Sequence, residues 1–317
     1  MSTWIGIDVS MESFDFSWVQ DGETFHGKES NSDTGFQRLV DKVPSDACFI
    51  MEATGPYSFN LALFLSQAKR HVAVVNPIST KSHLRSELSR TKSDKTDALS
   101  LARYGKEKEP ATWQPHDREI SEMRQMLGLD AKLTHLAGQL KNMNHAYGKI
   151  KHYSPHAILR IRRLLELLEH EQDENMKELE AMAEKVMPRE VEILETIPGI
   201  GKASAIRVAV SVGDFRLFET SRKLNCYVGL SPTTKQSGKS IRSRGQISRM
   251  GGASIRRQLF MCALSAKQHN PQCKAMWDRM KESNKHSKVV LVAIMSKLIR
   301  QMHSMVVNDQ VYNPCFR

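Results

Sequence analysis

The chain has 317 residues, 40% of them hydrophobic, and 46 Lys+Arg against 35 Asp+Glu, for a formal charge of +11 and a pI near 9.4. That length and composition fit a globular protein of about two domains with ordinary packed cores. No uninterrupted apolar run reaches the roughly 18 residues of a bilayer span, and MSTWIGIDVS carries Asp8 where a signal peptide has its hydrophobic stretch, so a cytoplasmic protein, nucleoid-associated when acting, is expected.

The positive excess is localised. Residues 1–110 hold 13 Lys+Arg against 15 Asp+Glu and residues 111–190 hold 12 against 13, whereas residues 191–317 hold 21 against 7. The C-terminal third therefore carries the whole surplus, and a basic field of that size attracts phosphate backbones by counterion release. The five cysteines (Cys48, Cys226, Cys262, Cys273, Cys315) are scattered without CxxC spacing, which predicts free thiols and no structural zinc.

TWIGIDVS reads as a short apolar strand, FDFSWVQ and ETFHGKE as two more joined by the turn Asp21-Gly22, and DTGFQRLVDKV as a helix. ACFIMEATG then reads as a buried strand, PYSFNLALFLSQAK as a helix with Pro56 near its first turn, and HVAVVNP as a further strand. A hairpin followed by β-α-β units is the element order of a ribonuclease-H-like α/β domain, assigned to residues 1–112. A Rossmann fold is disfavoured because no GxGxxG follows the first strand.

Residues 113–190 read as nearly continuous helix. Ile120, Met123, Leu127, Leu133, Leu136 and Leu140 recur at helical intervals, as do Ile158, Ile161, Leu164, Leu165 and Leu168, with a break at His152-Tyr153-Ser154-Pro155. This predicts an antiparallel coiled-coil arm, serving dimerisation or packing on a neighbouring domain. Residues 191–317 open with LETIPGIGKASAIRVAVSVGDF, a helix-hairpin-helix-like element in a mainly α domain. In such an element, glycines let backbone approach phosphate and helix N-terminal amides bind it, and Lys202 stands there as a candidate contact. After the polar run KQSGKSIRSRG (235–245), ASIRRQLFMCALSAKQ and SKVVLVAIMSKLIRQMHSMV read as core helices filled partly by methionine.

Four carboxylates are candidates for chemistry. Asp8 and Glu52 sit in or at the end of apolar strands, where charge is costly unless paired or metal-bound, and Asp94 and Asp97 lie three apart at the start of a helix. Each alone is an ordinary capping or helix-start acid; together they form a hard-oxygen set suited to Mg2+ and phosphoryl transfer. In the basic run, Lys235, Lys239, Arg242 and Arg244 surround Ser237 with charge that stabilises a phosphorane, but nothing local distinguishes Ser237 from Ser231, Ser240 or Ser243. Arg249, Arg256 and Arg257 are expected to touch phosphates. Tyr227 has apolar neighbours and is expected in the core, and His83, His116 and His135 on the surface or in local hydrogen bonds.

These residues carry a resemblance. IGIDVS, IMEATG, KSDKTDA, IPGIGKASA, CYVGLSP, QSGKS and RGQISRMGGASIRRQLF are similar to the motifs of the IS110 (IS one-ten) family of insertion-sequence transposases and Piv-type DNA invertases, and follow the family's order over nearly the whole chain. The resemblance implies a RuvC-like domain whose Asp-Glu-Asp-Asp metal site maps to Asp8, Glu52, Asp94 and Asp97, a coiled-coil arm, and a C-terminal domain whose nucleophile maps to Ser237. It implies Mg2+-assisted strand exchange between double-stranded DNA sites through a phosphoserine, by a homodimer assembling to a tetramer. Insertion-sequence members are guided by a structured RNA and invertase members act on fixed inverted sites, a choice these shared motifs leave open. Two other readings stand beside it: a RuvC-like Mg2+-dependent endonuclease that uses water, and a non-catalytic helix-hairpin-helix nucleic-acid-binding protein.

Overall fold

Strand β1, Trp4–Val9, has apolar residues buried on both faces, and such a strand belongs in the middle of a sheet. The computed structural model describes residues 3–77, 79–80, 94–115, 117–233, 236–237, 241–242, 246–248 and 251–314. In it β1 pairs antiparallel with β2 (Ser13–Gln20) and parallel with β4 (Cys48–Glu52). β3 (Glu23–Ser30) completes the hairpin and β5 (Val72–Val75) extends the parallel side, giving the order β3-β2-β1-β4-β5. Helices α1 (Asp33–Lys42) and α2 (Pro56–Gln67) cover one face, where Phe14, Phe16, Phe36, Leu39, Phe49 and Leu61 form a core with no side chain more than 2% exposed. Helix α3 (Asp94–Lys108) covers the other, over Trp4, Ile50 and Ala73.

Two glycines set how α3 lies. A Cβ at Gly6 would overlap the Ala98 carbonyl oxygen and the Ala102 nitrogen, and one at Gly105 would stand 2.6 Å from the Trp4 ring. The helix backbone therefore rests directly on β1, an approach only glycine allows. Residue 105 lies at the level of residue 4 and residues 98–102 at that of residue 6, so α3 runs antiparallel to β1. Four residues of helix and two of strand both advance about 6 Å, which brings the first turn of α3 to the level of residue 8.

The chain divides into two compact units, Met1–His116 and Asp117–Arg317. The second begins with two long antiparallel helices, α4 (Arg118–Tyr147) and α5 (Pro155–Val186), joined by a short turn in which Ser154 caps α5. Gln172 donates to Thr134 at 2.8 Å and Lys141 pairs with Glu169 at 3.0 Å, fixing the antiparallel register. At the base of the pair Met123, Leu179, Ala183 and Met187 enter a core shared with α6 (Pro188–Glu195), α7 (Lys202–Val212), α8 (Ser221–Val228), α9 (Ala253–His269), α10 (Pro271–Glu282) and α11 (Ser287–Val307). Arg124 anchors the base by donating to the Val210 and Val212 carbonyls at the end of α7. Helix α11 is long and apolar enough to cross a membrane by length and composition, but half of that window is buried, with Val290, Ile294, Leu298 and Met302 inside the core.

The α3 contact gives a direct test. Gly6→Ala should cost at least about 1–3 kcal/mol through overpacking against helix backbone. Gly128→Ala, on α4 with nothing within 4 Å of its added methyl, should leave stability unchanged or raise it by up to about 1 kcal/mol. Thermal unfolding of the two variants checks both signs.

Candidate active site

The register of β1 and β4 runs through Ile7 opposite Met51, so the next residues, Asp8 and Glu52, stand side by side at the carboxyl ends of the two strands. Alternation puts both on the face covered by α3, together with Trp4, Gly6 and Ile50. The direction of α3 brings the turn containing Asp94 and Asp97 to the same level, with its amide end toward the carboxylates, an orientation that favours negative charge. Asp8, Glu52 and Asp97 are each half-buried, and the Asp94 side chain lies outside the described residues. Glu52 accepts a hydrogen bond from the buried Thr80 hydroxyl. Among the described residues no three His, Cys, Asp or Glu side chains are gathered closely enough to cage an ion. The chemistry of the donor set nevertheless suits one, because hard carboxylate oxygens are what a divalent cation such as Mg2+ takes, and these residues stand at two strand ends and one helix start on the same level of the sheet.

Asp15, which sequence reading did not single out, lies directly across from Asp8 on β2 and is only 8% exposed. Its carboxylate is paired with Lys28 Nζ at 2.9 Å and His26 Nε2 at 3.3 Å. His26 Nδ1 is 3.0 Å from Ser17 Oγ, which reaches the Lys95 carbonyl at 3.5 Å. This chain of polar contacts ties the first turn of α3 to β2 and β3. The signal was present in FDFSWVQ: with Phe14, Phe16 and Trp18 facing the main core, Asp15 and Ser17 must face α3.

Ser237 lies in a nested antiparallel ribbon. An outer pair joins β6 (Pro232–Thr233) to β9 (Gln246–Ile247), and an inner pair joins β7 (Gln236–Ser237) to β8 (Ile241–Arg242), with Ser237 opposite Ile241. The run that sequence alone leaves as a polar loop thus has a paired stem, in which Ser237 is described in its backbone alone. The base of the stem is clasped. Arg256 Nη1 donates to the Val228 carbonyl at 3.1 Å and to the Gly251 carbonyl, Ser248 N donates to Ser231 O at 3.0 Å, and a Cβ at Gly251 would overlap the Tyr227 carbonyl. Arg256, expected at a phosphate, is therefore spent at least partly on joining the two ends of the serine segment.

Of the other expected contacts, Arg257 is exposed, and Lys202 is paired with Glu184 at 2.6 Å, a hydrogen bond that raises the lysine pKa and lowers that of the glutamate. Lys235, Lys239, Arg244 and Arg249 lie outside the described residues, as do His83 and His116, and Arg242 is described in its backbone alone. Gly199 of the PGIG turn has φ +98, and its Cβ would stand 2.6 Å from the Ala266 backbone, so close packing on α9 already requires it. Gly201, at the start of α7, faces open space. Tyr227 departs from expectation: it is 47% exposed, its ring tilted against Phe218. Burial pushes the Cys273 thiol up to about 11 and raises that of Cys262, which removes both as nucleophiles.

The sequence is similar to those of known proteins. A model of the IS116/IS110/IS902 transposase family matches residues 191–278, and a model of IS110-type DEDD transposases matches residues 5–147. The chain is 28% identical to the pilin gene-inverting protein of Moraxella bovis over 98% of both chains. It is 22% identical to the transposase for insertion sequence element IS1111A of Coxiella burnetii, over 84% of this chain and 78% of that one. A stretch of 120 residues is 30% identical to a 43.6 kDa protein of insertion element IS110 from Streptomyces coelicolor, over 38% of this chain and 29% of that one.

The clasp predicts that Arg256→Ala leaves two backbone carbonyls without their donor, costing about 1–3 kcal/mol. The basic residues of the ribbon should then be cut faster by trypsin than in the wild type. If Arg256 acts instead through a phosphate, the variant will lower the salt slope of DNA binding by about one and leave the proteolysis rate unchanged.

Proposed function

The chain belongs to the IS110 family of transposases and is a DNA recombinase, and on that premise we propose that Ser237 cuts and rejoins double-stranded DNA through a phosphoserine, with Asp8, Glu52, Asp94 and Asp97 holding Mg2+. In this reading the first unit is a RuvC-like domain, supported by its sheet order, with three antiparallel and two further parallel strands. The observation that carries the metal half is the course of α3 over Gly6, with the Asp94–Asp97 turn level with Asp8 and Glu52. The serine half is supported by the position of Ser237 at the end of a clasped ribbon in the most basic part of the chain.

In each cleavage the Ser237 Oγ–P bond forms as a P–O bond to a deoxyribose oxygen breaks. The hydroxyl proton leaves Oγ, the departing oxygen takes up a proton, and the reverse step on the exchanged strand restores the serine. Lys235, Lys239, Arg242 and Arg244 oppose the charge on the phosphorane, while Lys202, Arg249 and Arg257 meet flanking phosphates. Asp8, Glu52, Asp94 and Asp97 would hold the divalent ion, which would supply Lewis-acid polarisation of a phosphate and stabilisation of a leaving oxygen. Both transposition and inversion follow from this chemistry, the former with a structured guide RNA as a further component.

Strand exchange needs more than one copy, and we assign a homodimer, assembling to a tetramer on DNA, to the arm. A groove there is lined by Leu136, Leu140, Met143, Leu164, Leu167 and Leu168, of which Leu164 and Leu167 are about half exposed. Two helices alone leave such a stripe wet, and a second pair buries it.

With Mg2+, site DNA and candidate guide RNA, the wild type should leave a protein–DNA adduct on a denaturing gel. Ser237→Ala should abolish it, and Asp97→Ala or chelation should slow it by roughly a hundredfold or more, several kcal/mol of charge stabilisation. Cleavage without an adduct that survives Ser237→Ala would assign the attack to water. Light scattering of Leu164→Lys/Leu167→Lys should show a smaller species than the wild type; an unchanged mass would remove the arm from the dimer interface.

A further inference from the structure

The near-zero charge of the arm is a sum of two opposite halves. Between Asp130 and Glu166 there is no acidic residue, yet seven Lys or Arg fall there; from Glu166 to Glu190 nine acids face three bases. The basic half is the far end of the α4–α5 hairpin. Lys149, Lys151, Arg160 and Arg162 are all exposed and have no ion-pair partner among the described residues, whereas Lys141, nearer the base, is paired with Glu169. Tyr153 and Ile150, also in the turn, are about half exposed.

Such a tip is costly in isolation. Like charges three apart, as at Arg160 and Arg163, repel along a helix, and cations near the start of α5 oppose its dipole. A surface that concentrates uncompensated cations and adds exposed tyrosine has the composition of a phosphate-binding face. We propose that the tip of the arm is a second DNA-binding surface, which takes the phosphate backbone of duplex DNA flanking the stretch bound by the basic C-terminal region.

Length supports this partner. From Met123, buried in the core of the second unit, to Tyr147 at the end of α4 is 24 residues, or about 36 Å of helix, the span of roughly ten base pairs. The tip thus stands about one helical turn of DNA beyond the core. A second copy offers less charge. Glu169, Glu174 and Glu184 of its acidic half are already paired within the chain, while a duplex carries one charge per about 1.7 Å.

The test uses the full chain, with Lys149, Lys151, Arg160 and Arg162 all changed to Gln, and two duplexes differing by one helical turn, titrated across a salt series. The wild type should gain affinity on the longer duplex. The variant should lose that gain, with a slope of log affinity against log salt shallower by about 3 to 4, and with unchanged helix content and oligomeric mass. An unchanged slope on the longer duplex overturns the proposal. So does a fall in oligomeric mass without a slope change, which assigns the tip to a second copy, or a slope change seen only with structured RNA. The proposal rests on DNA recombination alone and not on the serine chemistry: Ser237→Ala should bind both duplexes as the wild type does, and a wild type that binds neither overturns the recombinase reading together with it.

Discussion

Helix α3 lies on β1 backbone to backbone because residue 6 has no side chain, and the candidate metal site is a consequence of that contact. Strand pairing alone sets Asp8 beside Glu52. The other two acids come from a helix more than forty residues later in the chain, and only its direction and depth over Gly6 and Gly105 bring them to the same edge. Moving the helix outward by one methyl group would separate the two pairs of carboxylates, and a divalent ion tolerates little such displacement. The part-buried Asp15–His26–Ser17 contacts fasten the same first turn from the side, so the site is supported by both the sheet and its hairpin.

The second unit solves a similar problem for a short, polar, basic stretch with little core of its own. A ribbon of two-residue strand pairs is weak by itself. Its ends are instead held by Arg256, by the close approach of Gly251, and by helices α8 and α9, whose cores are continuous with the base of the arm. The described backbone of Ser237 belongs to this ribbon, and the base of the ribbon is fixed by these contacts. The arm changes character along its length, with an apolar middle and a cationic tip.

Much of this was legible in the sequence. Alternation revealed the strands, helical spacing revealed both arm helices, and the order hairpin then β-α-β predicted the mixed sheet that is observed. What remained hidden depends on partners distant in sequence. Helix α8 has eight residues, too few for a clear period, and α10 presents a single fully buried side chain, Cys273. The ribbon reads as a loop because two-residue strands carry no alternation. Arg256 looks like any cation in a basic segment until Val228 and Gly251 are seen beside it, and Gly199 looks like a phosphate-binding glycine until Ala266 is found against it. The segregated charge of the arm was lost by adding its two halves together.

The most direct test of the central claim is a Mn2+ titration of the full chain followed by electron paramagnetic resonance, because it reads the metal site without turnover. The account predicts a tight class of bound Mn2+ that is lost in Asp8→Asn and in Asp97→Asn, weakened in Gly6→Ala, and retained in Ser237→Ala. Equal Mn2+ binding by the wild type and both Asp→Asn variants would contradict it.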